Sequence, residues 1–377
     1  MKKPIRILHV LTAMEYAGTE TLLMRLYRNI DRTKIQFDFA VSSTKECAYD
    51  SEIRELGGLI IHYPKYTGLN HNRYMKWWKN FLQQHTEYRI IHGHIGSTAS
   101  LYLGIAKKLG RYTIAHSHNT NENLSLHSVL YKIYSYPTRY IADYYFGCSR
   151  QAIIDRYGKT IANNPSKSRV LNNALDTEKY IFNQTVREKI RNELQIPLNT
   201  LVIGTVGRLS NQKNPFEIVR ICEELRNRGL DFMFLWFGNG ELKDEIAKSL
   251  AEKELNSIVK LCGTRSDIHN VLQAFDIFLF PSVYEGLGIA GVEAQASGLP
   301  TLCSDTLTDE AKATDLCITL KLNDTQLWCD KIQECAIEIQ RSDYQRKNTR
   351  DSIISAGYDI KEVADWLENF YLERAHK

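Results

Sequence analysis

The chain has 377 residues, 43% hydrophobic and 24% charged, a length better divided between two α/β domains than gathered around one core. A formal net charge of +4 provides no bulk basic surface that would call for nucleic acid. The eight cysteines (47, 148, 222, 262, 303, 317, 329 and 335) form no Cys-x-x-Cys pair, which excludes a disulfide scaffold or a redox motif and fits a reducing cytoplasm.

The basic start, Met1 to Pro4, is followed by an apolar run too short for a signal peptide and interrupted by Arg6 and His9. No stretch reaches the roughly 18–20 apolar residues that cross a bilayer, so any membrane association is expected to be peripheral, at the inner face. Residues 5–11 read as a buried parallel strand and 20–29 as an amphipathic helix, the opening βα unit of a doubly wound sheet. Further strands are expected at 37–42, 59–63, 90–92, 112–116 and 143–148, with helices such as 73–83 and 97–108 between them. After a polar stretch at 169–180, a helix at 186–194 leads to a second series of strands at 201–206, 232–237, 259–262, 277–280 and 301–304. The last helix, 360–375, carries Val363, Trp366, Leu367, Phe370 and Tyr371 as an apolar stripe at helical spacing. The expected domains are 1–178 and 179–358, with 359–377 as a helix returning to the first.

The segment from Phe280 to Pro300 is the richest in chemistry. Glu285 and Glu293 stand eight positions apart across a strand end, a glycine loop (Gly286, Leu287, Gly288) and a helix start. The free N–H groups of a helix starting near 287–289 form an anion site, beside which a carboxylate can accept hydrogen bonds from sugar hydroxyls. Upstream, Gly207-Arg208-Leu-Ser-Asn-Gln-Lys213-Asn-Pro follows the first strand of the second half. It would set two cations beside a helix start at Pro215, where a diphosphate could lie.

With these motifs the chain resembles glycosyltransferase family 4, retaining enzymes of the GT-B fold whose signature is a Glu, seven residues and a second Glu in this setting. The resemblance runs through most of the chain. It implies two Rossmann-like domains facing across a cleft, acceptor in the first and nucleotide sugar in the second. It implies also that Arg208 and Lys213 grip the donor diphosphate, Glu285 orients the donor sugar and Glu293 binds the ribose. Asn214 stands where many relatives have glycine. In the first half, Glu15-Tyr-Ala17-Gly18-Thr19-Glu20 matches a loop that usually carries two glycines, of which only Gly18 is kept. Gly263 and Arg265, in Leu261-Cys-Gly-Thr-Arg-Ser-Asp267, fall where the base pocket is expected. At Ile114-Ala-His116-Ser-His118-Asn119 the family places a histidine that points at the donor hexose; His118 is the choice and His116 the alternative. The resemblance further implies transfer with retention, without a metal on the diphosphate, from a donor that is UDP-linked by family habit.

His92-Gly-His94 and His116-Ser-His118 could each begin a metal site, because i and i+2 share one face of a strand. No third ligand motif accompanies either triplet, so no metal is assigned, and no cofactor beyond the donor is called for. There is no Asp-x-Asp, which argues against the metal-dependent single-domain glycosyltransferases.

The segment 72–82 mixes Arg73, Lys76 and Lys79 with Trp77, Trp78 and Phe81. Two readings are open: a surface that settles into lipid headgroups, or aromatics in the core with the bases in water. A second aromatic and basic run spans 131–140. These, with a likeness to capsule and exopolysaccharide transferases, point to a polyprenyl-diphosphate-linked glycan acceptor. The competing expectations are a GT-B nucleotide-sugar epimerase and a non-catalytic nucleotide-sugar-binding subunit. A dehydrogenase lacks support, because Lys243 occupies the third glycine position after Gly238-Asn-Gly240.

Overall fold

The computed structural model describes residues 3–118, 134–341 and 343–375. Two compact units result: Met1–Leu175 together with Gly357–Lys377, and Asp176–Ala356.

In unit 1, β1 (Ile5–Leu11), β2 (Ile35–Val41), β3 (Ile60–His62), β4 (Ile90–Gly93), β5 (Tyr112–Ser117), β6 (Tyr144–Gly147) and β7 (Ser168–Val170) form a sheet in the order β3-β2-β1-β4-β5-β6-β7. Unit 2 repeats this with β8 (Val202–Val206), β9 (Met233–Phe237), β10 (Val259–Gly263), β11 (Ile277–Phe280), β12 (Thr301–Ser304) and β13 (Cys317–Leu320), in the order β10-β9-β8-β11-β12-β13. All these pairings are parallel. Central strands buried on both faces need continuous apolar runs; β2 is buried at all seven positions. Each sheet reverses its strand order once, between β1 and β4 and between β8 and β11, and in this architecture ligands gather at the carboxyl ends of the strands flanking such a reversal.

The helices Gly18–Asn29 and Ile360–Ala375 cover one face of the first sheet, sharing a core with Ile7, Phe37, Phe39, Ile90 and Phe146. The last helix thus belongs to unit 1, with Leu367, Phe370 and Tyr371 buried against the sheet. Each such side chain contributes about 1.5–3 kcal/mol by leaving water. Outside the core, Glu368 accepts from the Asp31 amide at 3.0 Å and pairs with Lys34 at 2.9 Å. The chain crosses between the units twice at one place, where Leu175 N–H donates to Tyr358 O and Ile360 N–H to Leu175 O.

On the opposite face lie His71–Gln84 and Ala99–Lys108. Here the core reading of the aromatic helix holds and the headgroup reading loses its aromatic half. Tyr74, Trp78, Phe81 and Leu82 are buried, and Trp77 stacks on Phe81 at 5.0 Å. Arg73, Lys76 and Lys79 face water. A period of 3.6 with apolar residues at 74, 78, 81 and 82 turns one stripe onto the sheet and leaves the bases opposite. Of the second aromatic run, Tyr131 to Ile133 lie outside the described residues. Tyr134, Tyr136 and Tyr140 are exposed, with Arg139 over the Tyr136 ring at 4.0 Å. Among the described residues no helix is long and apolar enough to cross a membrane.

Candidate active site

In unit 2 the site residues gather where β8 and β11 end. After β11, Pro281 and Ser282 are buried and the loop is pinned from β12: Ser304 Oγ–H donates to Ser282 O at 2.6 Å and Thr306 Oγ1–H to the same carbonyl at 3.0 Å. The loop turns into the helix Ile289–Ala296 through Gly288, whose φ of 80° is left-handed. A Cβ there would also lie 2.8 Å from Leu307 Cδ1 and 2.9 Å from Phe280 Cε1, so glycine is required on two counts. Leu287 is buried and anchors the turn, with half-buried Gly286 between it and Glu285.

Glu285 is 8% exposed and faces Lys213, whose Nζ donates to Oε1 at 2.5 Å; Gln212 Nε2–H donates to Oε2 at 3.3 Å and to Tyr284 O at 3.1 Å. Lys213 Nζ also lies 4.6 Å from the centroid of Phe280. The β8 loop delivers it through a short 3-10 turn, Asn211–Lys213, closed by Asn214 at φ 52°, ψ 52°. Asn is the side chain best suited to that left-handed geometry after glycine, which explains the residue found where relatives carry glycine. Pro215 then opens the helix Pro215–Asn227. Arg208, by contrast, stands exposed at the end of β8, and no carboxylate among the described residues pairs with it. The expected pair of converging cations is therefore one lysine bound to a carboxylate and one arginine open to water.

Neighbouring strand ends are tied to this loop by backbone. Gly207 N–H donates to Phe237 O at 2.9 Å and Gly238 N–H to Gly263 O at 2.8 Å. A Cβ on Gly238 would fall 1.9 Å from Gly207 O, so the near-fingerprint Gly238-Asn-Gly240 serves close backbone packing. Gly263 is left-handed at φ 69° with open space where a Cβ would stand. Arg265, expected at the base pocket, engages Asp267 through two hydrogen bonds of 2.7 Å, and Glu193 as well. It holds the Asp267 carboxyl down to about 2.

Glu293 lies on the second turn of its helix, 6% exposed, and accepts from Tyr180 Oη–H at 2.8 Å. Tyr180, from the short helix Thr177–Tyr180, is a site neighbour missed in the sequence. Nothing in the spacing of 180 and 293 signals their contact.

In unit 1, Gly18 opens the first helix, and a Cβ there would meet no protein atom within 4 Å. Packing does not require glycine at this position. His118 directly follows β5, half-buried, while His116, within the strand, is 3% exposed; of the two, His118 has the access. The two histidine triplets are not separate. β4 and β5 are neighbours, and β1 adds His9, in register with His92. His9 Nδ1 lies 3.0 Å from His94 Nε2, and His94 Nδ1 lies 2.8 Å from His118 Nε2. No third ligand motif accompanies either triplet in the sequence, yet the fold brings a third histidine to each. His94 meets His9 and His92 on one side and His116 and His118 on the other. A lone histidine inside an apolar strand carried no signal until topology placed it.

The group 1 glycosyl transferase family model matches residues 186–310, which hold both Arg208 and Lys213 and both glutamates. The Bacillus subtilis (strain 168) protein named glycosyltransferase EpsF is 30% identical over 380 residues, covering 97% of this chain and 96% of its own. The chain belongs to the group 1 glycosyl transferases. An Escherichia coli UDP-Gal:alpha-D-GlcNAc-diphosphoundecaprenol alpha-1,3-galactosyltransferase is 29% identical over 218 residues, 56% of this chain and 55% of that one. Among solved structures, Anabaena Alr3699/HepE in complex with UDP superposes with a TM-score of 0.78 at 15% identity, over 98% of this chain and 100% of that one. The fold of this glycosyltransferase is GT-B, with two Rossmann-like domains.

Proposed function

We propose that this glycosyltransferase moves a hexose or N-acetylhexosamine from a UDP-sugar to a polyprenyl-diphosphate-linked glycan, with retained anomeric configuration, in the synthesis of a surface polysaccharide. The observation that carries the reading is the part-buried Lys213–Glu285 pair at the mouth of a glycine-capped helix. It places a fixed cation, a hydroxyl-accepting carboxylate and free helix N–H groups at one strand end.

In the reaction the bond from the anomeric carbon to the diphosphate breaks and a bond to the acceptor oxygen forms. The acceptor proton leaves on the departing diphosphate. Negative charge therefore grows on phosphate, and Lys213, Arg208 and the N–H groups of Gly286, Leu287 and Gly288 are proposed to hold it without a metal, as preorganised donors. Glu285 would hold sugar hydroxyls and Glu293 the ribose, exchanging its Tyr180 bond for the ligand's. Gly18 would let the first βα loop approach the phosphates, Gly263 and Arg265 would border the base, and His118 would serve the transferred sugar. The relatives' names support the UDP donor and the diphosphate-linked acceptor. The aromatic and basic run ending at Tyr140 supports a peripheral contact with the inner membrane face.

The test is a mass-spectrometric screen of purified protein with UDP-GlcNAc, UDP-Glc, UDP-Gal and GDP-Man on polyprenyl-diphosphate sugars, without added Mg²⁺ or Mn²⁺, against Glu285→Ala. One donor should give a product that the variant does not, with the anomeric configuration kept. Donor consumed without acceptor product would replace the reading by epimerisation. Absence of both turnover and donor binding would replace it by a non-catalytic role.

A further inference from the structure

The carboxyl edge of the first sheet gathers five imidazoles: His9 from the interior of β1, His92 and His94 at the end of β4, and His116 and His118 at the end of β5. His92 rests 2.6 Å from Tyr371 Oη of the last helix. His94 lies between His9 and His118 in a hydrogen-bonded row. In that row each neutral ring can donate from one nitrogen and accept at the other. His116 is left outside it. It is 3% exposed, stands 3.9 Å centroid to centroid from His118, and among the described residues neither Nδ1 nor Nε2 has a partner. Nor, among the described residues, do the outer nitrogens of the row, His9 Nε2 and His118 Nδ1. A buried polar atom without a partner is costly, and imidazole is the commonest side-chain ligand of such metals as zinc and copper.

We propose that His94, His116 and His118 bind one divalent transition-metal ion of the zinc class. One nitrogen from each lies within 4.8 Å of the others. Ligand nitrogens about 2.0–2.1 Å from a tetrahedral ion stand about 3.3 Å apart. The 2.8 Å gap between His94 Nδ1 and His118 Nε2 therefore opens by about half an ångström when the shared proton gives way to the ion. His94, bound through Nδ1, then donates its Nε2 proton to His9 Nδ1, the outer contact that orients a metal-bound imidazole. Neutral imidazole is the form that binds such an ion, so its uptake displaces protons shared along the row.

Coordination through Nε2 fixes the remaining proton of His118 on Nδ1. The same ion that fills the cluster thus settles which nitrogen of His118 can donate. That consequence rests on the function proposed above; the site itself does not.

The experiment uses the full, tag-free chain stripped with a chelator, titrated with Co²⁺ and followed by its visible spectrum, with Zn²⁺ as competitor. One equivalent should bind, with nitrogen and oxygen ligands and no thiolate charge-transfer band. His94→Gln and His116→Gln should each weaken binding at least tenfold, whereas His71→Gln, on an exposed helix start, should leave it unchanged. X-ray absorption of the Zn²⁺-loaded wild type should count three imidazoles, a readout that needs no variant to fold. Absence of saturable binding, a thiolate signature from the cysteines, or affinity unchanged by His116→Gln would overturn the site. Because the readout involves no donor or acceptor, its failure is separate from failure of the transferase reading.

Discussion

The carboxyl edges of the two sheets occupy equivalent places in the same strand order, yet they carry opposite chemistries. In unit 2 the edge holds formal charge, Lys213 against Glu285, on loops pinned by backbone and by a glycine that nothing else can replace. In unit 1 the corresponding edge holds five uncharged histidines inside the sheet. A fixed charge pair suits a ligand whose own charge changes during reaction. A row of neutral imidazoles suits hydrogen bonding and metal coordination. One topology can therefore provide either kind of surface, because the strand ends leave side-chain choice free while the sheet fixes their positions.

The sharpest way to break the contrast is to remove the charge. Lys213→Ala leaves Glu285 buried without its cation. We expect turnover to fall by about 10²–10³ and unit 2 to lose about 1–3 kcal/mol, the cost of leaving a buried carboxylate short of its partner; single-turnover kinetics and urea midpoints read the two effects. Intact turnover would show that the pair is structural only. Gly288→Ala adds a methyl group where φ is 80° and two carbons lie within 3 Å. A loss of about 2–3 kcal/mol from strain and overpacking is expected, with UDP binding impaired in calorimetry, whereas Gly18→Ala should leave stability within about 0.5 kcal/mol. Tyr371→Phe tests the histidine edge. It takes the hydroxyl from His92 Nδ1 and should cost about 1–2 kcal/mol in thermal or urea unfolding. Asp267→Asn, in a partly exposed pair with Arg265, should shift stability by less than about 1 kcal/mol; a larger shift in UDP affinity would show that Arg265 serves the base.

Much of this was legible in advance, for identifiable reasons. The central strands announced themselves because both their faces are buried, and the last helix because five apolar residues keep a 3.6 period. The edge strands β7 and β13 went unseen. Ser168-Arg-Val170 and Cys317-Ile-Thr-Leu320 are short, and each has water on one side. Glu285, Lys213 and the helix start at Ile289 were found through motif and resemblance. The partners Tyr180 and His9 were not, since each meets its site across 113 or 85 residues of sequence. Arg265, expected at the base, also pairs with Glu193, a partner 72 residues away that its own motif did not announce.

The return of residues 360–375 to unit 1 also bears on how the molecule is made. During synthesis from the amino end, residues 176–356 are complete before the first unit can be. Until the last helix emerges, Phe37, Phe146 and the ring of His92 lack their cover. The ribosome therefore finishes the second unit first. A chain cut short within residues 360–375 would damage the unit that was begun earliest, leaving a sound second unit attached to an unfinished first one.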